Sequence, residues 1–151
     1  MTPGSGRRDP DADGQALAER VVTGMLKRDA FSEWLGIEAL EIAPRRSKLR
    51  MVVRAEMVNG FGVAHGGIAF SLADSALAFA CNTHGTVTVA VNNAIAYPAP
   101  IRVGDVLTAE SEEISTTNRL AFHRILVRNQ DDIVVAVFNG TVYDTRKAHD
   151  V

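Results

Sequence analysis

Residues 68–82, IAFSLADSALAFACN, constrain the fold more than any other segment of the chain. The stretch is apolar on nearly every side, rich in alanine, and long enough for a helix. A helix that is apolar all round is buried all round. In a chain of 151 residues the simplest way to bury one is to wrap a sheet around it.

The rest of the sequence supplies that sheet. Leu49, Met51, Val53 and Ala55 alternate with Lys48, Arg50, Val52 and Arg54, which gives a strand one face for the core. Pro44-Arg45-Arg46 reads as the turn before it. After the helix, Val87, Val89, Val91, Asn93, Ile95 and Tyr97 alternate with Thr88, Ala90, Asn92, Ala94 and Ala96, until Pro98-Ala99-Pro100 ends the strand. Three more β-rich runs follow at about 105–116, 119–129 and 133–144, separated by Thr-Thr-Asn and Asn-Gln-Asp-Asp turn signals. Upstream, Ala16, Leu17, Val21, Val22, Met25 and Leu26 make an amphipathic helix beginning at Gln15. The short FSEWLG segment adds a second helical piece, with Ser32 as its cap and Gly36 as its stop. The expected class is α+β, a mostly antiparallel sheet wrapped around a long central helix, with an N-terminal helical segment. Residues 1–14 read as a disordered lead-in, 15–145 as a single domain, and 146–151 as a tail.

Charge and cysteine content narrow the function. Sixteen basic against 18 acidic side chains leave a net charge of −2, so no whole-chain positive field drives nucleic-acid binding. A single cysteine, Cys81, excludes an internal disulfide framework and any CxxC pair. No apolar run approaches the ~20 residues that span a bilayer, and the N-terminus has no secretory h-region. The expectation is a cytoplasmic protein with neither nucleic acid nor membrane as partner.

Asp74 breaks the pattern of its own helix. A carboxylate among Leu72, Ala73, Ala76 and Leu77 must find a partner, reach a cleft or become protonated. Ser71, three positions earlier on the same face, is positioned to donate to it. His65-Gly66-Gly67 heads the same helix. Two glycines there lower helix propensity by ~1 kcal/mol each relative to alanine, which suits a backbone that must stay bare. Bare N–H groups at a helix N-terminus suit an oxyanion developing on a carbonyl; the plainer alternative is a tight turn with His65 as a cap. Gly66 and Asp74 are eight residues apart, or ~12 Å along one helix. An acid and an oxyanion donor must both lie ~3 Å from one reacting centre. Acting together they therefore require the antiparallel helix of a second subunit, and two symmetric sites at a dimer interface.

Asn59 either orients a water, braces the glycine-rich loop NGFGVAHGG or is a plain turn residue. His84 and His123 lack metal-ligand company and read as structural, His149 lies in the tail, and Cys81 reads as core packing. Arg102, Arg119, Arg124, Arg128 and Arg146 are scattered over the strand half, with one or two available to phosphates of a large anionic ligand. Phe61, Phe70, Phe79 and Tyr97 either line an aromatic-friendly pocket or belong to the core.

The composite NGFGVAHGGIAFSLADSALAFACNTHG, then a β-run ending in YPAP and then VGDVLTAE, resembles the hotdog-fold acyl-CoA thioesterases. It is most similar to the PaaI type associated with phenylacetic acid degradation. The resemblance runs from about residue 31 to 144, and its most specific part is the Asn-x5-His-Gly-Gly-x6-Asp spacing. It implies hydrolysis of an acyl-CoA without metal or organic cofactor, in a homo-oligomer that is commonly a dimer of dimers. Asp74 would be the nucleophile or the general base for water. The Gly66 N–H, helped by Gly67, would polarise the thioester carbonyl, with His65 and Asn59 shaping the loop. Gly67, Ser71, Asn92, Asn93 and Arg119 form the expected substrate-binding set. Related enzymes often carry Ser or Thr on the strand after the helix; here Asn92-Asn93 stands there, so an asparagine substitutes or the role is lost. The implied acyl group is phenylacetyl or ring-hydroxylated phenylacetyl. Alternatives are a broad short- or medium-chain acyl-CoA thioesterase, a hydratase, or a non-catalytic acyl-CoA-binding module.

Overall fold

A computed structural model describes residues 10–151. The elements run α1 (Pro10–Leu26), α2 (Ala30–Leu35), β1 (Glu38–Ala43), β2 (Arg46–Val52), a 3-10 turn (Ala55–Met57), α3 (Gly66–Asn82), β3 (Thr86–Ala96), β4 (Val106–Thr116), β5 (Leu120–Arg128) and β6 (Val134–Ala148). The six strands form one antiparallel sheet in the order β1-β2-β4-β5-β6-β3. The sheet curls around α3, which touches every strand.

The alanines explain how the sheet comes so close. Ala69, Ala73, Ala76 and Ala80 recur along one side of α3 and are fully buried. Leu72, Leu77 and Phe79 of the helix pack into Leu49 and Met51 of β2, Leu107 of β4, Ile125 of β5 and Phe138 of β6. Each such side chain contributes about 1.5–3 kcal/mol on burial. Ser47 Oγ donates to the Ala76 carbonyl at 2.7 Å, so the buried hydroxyl is satisfied by the helix it packs against. The expected alternation of Leu49, Met51 and Val53 holds. Ala55 leaves it, because the chain has already turned into the 3-10 segment.

Three boundaries differ from the sequence expectation. The first helix begins at Pro10, not Gln15. A proline in the first turn has its φ pre-set for the helix, and Asp11 and Asp13 sit at the positive end of its dipole. The expected lead-in of 1–14 is thus helical from residue 10, and its residues 1–9 lie outside the described residues. The second helix is capped by Asp29 rather than Ser32; the Asp29 carboxylate accepts from the Ser32 N–H at 2.9 Å and the Ser32 hydroxyl at 2.6 Å. Gly36 ends it in the left-handed region at φ 74°, as expected. The expected tail of 146–151 starts as strand, since β6 pairs with β3 as far as Ala148 against Thr86.

Within the single chain α3 is not covered all round. Gly67, Ser71, Asp74 and Ala78 form a half-buried stripe along it. Beside this stripe runs β3, an edge strand of 11 residues, TVTVAVNNAIA, with no charged residue. Val89 and Val91 are 46% and 57% exposed on it. A long, uncharged, apolar edge is a template for pairing with another strand.

At Gly140 of β6 an added Cβ would lie 2.5 Å from Leu77 Cδ2. Gly140→Ala is therefore expected to destabilise the fold by about 1–3 kcal/mol through overpacking, measured by denaturant unfolding. An unchanged unfolding midpoint would show that Leu77 has room to move.

Candidate active site

The loop of residues 58–65 delivers His65 to the start of α3. Asn59 Oδ1 accepts from the Phe61 N–H at 2.9 Å, and the Asn59 N–H donates to the Val63 carbonyl at 2.8 Å. Gly62, at φ 77°, makes the tight turn between them. Asn59 thus braces the loop. The His65 N–H donates to the Met57 carbonyl at 2.8 Å, and its ring caps the helix: Nδ1 accepts from the Gly67 N–H at 2.9 Å. With Nδ1 as acceptor, the ring proton sits on Nε2.

This cap divides the two glycines. The Gly67 N–H is occupied by His65, so it does not join an oxyanion site. The Gly66 N–H has no acceptor among the described residues and lies at the positive end of a 17-residue helix. The Gly66 carbonyl accepts from the Tyr97 hydroxyl at 2.8 Å. A Cβ on Gly66 would lie 2.9 Å from Tyr97 Oη and 3.0 Å from Cζ, so the tyrosine occupies the space a side chain would need. Tyr97 also lines a cleft of about 340 Å³ with Val63, Gly66, Pro98, Pro100 and Ile101.

Asp74 stands two turns further along, on the half-buried stripe. Contrary to the sequence expectation, Ser71 does not donate to it; the Ser71 hydroxyl donates to the Gly67 carbonyl at 2.7 Å, the usual alternative for a serine in mid-helix. Its partner is Asn93 of β3, whose Nδ2 donates to Asp74 Oδ1 at 3.1 Å. Burial pushes the Asp74 carboxyl above its ordinary value, and the Asn93 amide pulls it partly back. Asn93 Oδ1 is buried with no partner among the described residues. Asn93 has room to reach the helix because Gly140 lies opposite it on β6; a Cβ there would be 3.1 Å from Asn93 Oδ1. Asn92 is exposed and is not brought to Asp74.

The remaining expected residues scatter. Arg119, beside the β4–β5 turn, donates to the Asp144 carbonyl at 3.1 Å and stacks over the Tyr143 ring. It lines a separate cavity of about 220 Å³ with His84, Glu113 and Asp144, near the C-terminal end of α3. His123 is buried, with Nδ1 3.2 Å from Ser111 Oγ, and burial holds its pKa down at about 4. Cys81 is buried core, its thiol pushed up to about 12. The four aromatics do not gather round one pocket: Phe79 is core, Phe70 packs edge-on against Phe138, and Phe61 is 90% exposed. Among the described residues no cluster of His, Cys, Asp or Glu is placed to hold a metal ion, and no helix is long and apolar enough to cross a membrane.

Residues 61–136 match the family model of the thioesterase superfamily. The chain belongs to the thioesterase superfamily. It is 36% identical over 116 residues to the acyl-coenzyme A thioesterase PaaI of Escherichia coli, covering 77% of this chain and 83% of that protein. It is 39% identical to a putative esterase of Archaeoglobus fulgidus, over 84% of this chain and 82% of the relative. The structure of the E. coli PaaI protein from the phenylacetic acid degradation operon superposes with a TM-score of 0.86, at 32% identity, covering 89% of this chain and 97% of that one. The fold is therefore the hotdog, and this thioesterase is a thioester hydrolase of the PaaI type. The matched segment carries His65, Gly66, Asp74, Asn93 and Tyr97, and ends before the C-terminal strand is complete.

Two site residues had only weak sequence signals. Tyr97 looked like one aromatic among four, and nothing in the spacing linked its hydroxyl to Gly66. Gly140 sits in an otherwise regular strand, where an isolated glycine marks a close approach.

A raised carboxyl has a stability signature. As pH rises through the elevated folded-state pKa of Asp74, the native state loses stability relative to the unfolded chain. Asp74→Asn removes that cost. Thermal unfolding at about pH 7 should show the variant melting above the unsubstituted protein, with the gain shrinking as pH falls toward the ordinary carboxylate value. A lower melting temperature at neutral pH would mean that the charge is stabilising.

Proposed function

We propose that this thioesterase hydrolyses an acyl-CoA to free acid and CoA at a site assembled from two subunits. One observation carries the reading: the unpartnered Gly66 N–H and Asp74 lie eight residues apart on one helix, with Asp74 on the stripe that the chain leaves half-covered. The ~12 Å between them is too long for one chain to hold both against one carbonyl. A second copy pairing along the uncharged β3 edge would run its own α3 alongside, antiparallel. That supports a dimer with two sites. We extend it to a dimer of dimers, for which the stacked Phe31 and Trp34, each 55% exposed on α2, offer apolar surface.

In this mechanism the thioester carbonyl oxygen lies on the Gly66 N–H of one subunit, where the helix dipole favours the developing negative charge. Asp74 of the other subunit acts on the carbonyl carbon. Asn93 holds Oδ1, leaving Oδ2 to attack directly or to take the proton of an attacking water. The C–S bond breaks and CoA leaves as thiolate, a good leaving group that needs no strong general acid. Direct attack gives a mixed anhydride that water then cleaves. Oxygen-18 entering Asp74 in a single turnover would mark that route. No metal or organic cofactor takes part, CoA being part of the substrate, and the setting is cytoplasmic, which the lone Cys81 suits.

For the acyl group we propose a phenylacetyl or ring-hydroxylated phenylacetyl unit in phenylacetate catabolism, supported by the PaaI likeness. A broad short- or medium-chain specificity is the second reading. The dispersal of Phe61, Phe70, Phe79 and Tyr97 favours it.

The test is thiol release from phenylacetyl-, hydroxyphenylacetyl- and alkanoyl-CoAs. Asp74→Asn should lose a hundredfold or more, on the order of ~3 kcal/mol of barrier. Gly66→Ala, which displaces Tyr97, should lower kcat by about tenfold or more while leaving the fold intact. Undiminished turnover in Asp74→Asn would overturn the mechanism.

A further inference from the structure

Asp74, Leu77, Ala78, Cys81 and Asn82 recur at the spacing of one helical face, which runs for ~12 Å along α3. With Val87–Ala90 of β3 opposite, this face lines a cavity of about 300 Å³. Small side chains at Ala78 and Ala90 keep it open, and apolar ones at Leu77, Val87 and Val89 make it suited to hydrocarbon. Asp74 marks one end. Asn82 and His149 mark the other.

The far end is rigid. Asn82 is buried; its Nδ2 donates to the Ala78 carbonyl at 2.8 Å and the Thr88 carbonyl at 3.0 Å. Its Oδ1 accepts from the Thr88 N–H at 2.8 Å. Two carbonyls around Nδ2 fix which amide atom is which, so His149 Nε2, 2.7 Å from Oδ1, must be the donor. The His149 N–H donates to the Gly85 carbonyl at 2.8 Å, which anchors the backbone as well. Burial, then Arg28 and His84, lower the pKa of this ring, so it is uncharged at neutral pH and compatible with an apolar groove.

We infer that this groove takes the acyl chain and that His149 is its end stop, limiting the substrate to compact or medium-length acyl groups and rejecting long ones. The inference rests on the acyl-CoA thioesterase reading, which places the reacting carbonyl at Asp74. From there the groove continues along this helical face toward Asn82, and the imidazole pinned to Asn82 lines its far end. His149 touches no reacting atom; it is a specificity-determining residue contributed by a segment beyond the family match.

The test compares the unsubstituted protein with His149→Ala and His149→Trp across a series from acetyl-CoA to palmitoyl-CoA. Thiol release should fall away at medium length in the unsubstituted protein. His149→Ala should carry kcat/KM to longer chains, by about tenfold or more for those previously rejected, with little change for acetyl-CoA. His149→Trp should retract the cut-off. Truncation to alanine removes only atoms and keeps the backbone anchor, so it remains informative if the tryptophan variant fails to fold. The same length profile in the unsubstituted protein and His149→Ala overturns the inference. If the unsubstituted protein releases no thiol from any member, the thioesterase reading itself fails. Thermal stabilisation by the same acyl-CoAs then decides the groove: a length limit relaxed by His149→Ala supports the end stop, and an unchanged limit or no binding overturns it.

Discussion

The burial of α3 against the concave face of the sheet is the constraint on which the rest of this molecule depends. A stripe of alanines lets the strands approach the helix closely, and at Gly140 the absence of a side chain leaves room for Leu77. Once the helix axis is fixed, Gly66 and Asp74 are fixed with it at a separation no local rearrangement can close. The sheet covers α3 on most sides but leaves the stripe through Ser71, Asp74 and Ala78 half-exposed beside an unprotected strand edge. The packing that stabilises the single chain thus leaves open the stripe that the proposed two-subunit site would use.

Around the helix ends, each polar group that is spoken for defines one that is not. His65 occupies the Gly67 N–H, leaving Gly66 as the free donor. Tyr97 ties down the Gly66 carbonyl, and Asn93 ties down one oxygen of Asp74. Contacts of this kind hold a group to a narrow geometry. They also set out the groups along α3: a free N–H at its N-terminus, a carboxylate in its middle, and an apolar groove toward its C-terminus.

Much of this was legible in the sequence because it follows from local pattern. The alternation of Leu49, Met51 and Val53, the all-apolar helix and the turn chemistry between strands each report on one element and its buried face. Asp74 stood out for the same reason, as a charge in an apolar run. What escaped depends on contacts between distant elements. Ser71 is a neighbour of Asp74 on the helix surface, yet a hydroxyl bonding its own i−4 carbonyl is closer still, and the carboxylate went instead to Asn93, 19 residues away. The cap at Asp29 rather than Ser32, and the helix start at Pro10, came from first-turn chemistry in segments that looked polar and irregular. His149 read as tail because its role arises only where β6 brings it back to Asn82.

The proposed sharing of the site between two subunits can be tested directly by subunit mixing. Asp74→Asn and Gly66→Ala proteins, each impaired alone, are combined in equal amounts and allowed to exchange subunits before thiol release is measured. If the acid and the oxyanion donor come from different chains, half of the dimers are mixed and each regains one intact site, so activity should recover to about a quarter of the unsubstituted level. If both groups act within one chain, every site in the mixture still lacks one of them, and no recovery above the separate variants would contradict the account.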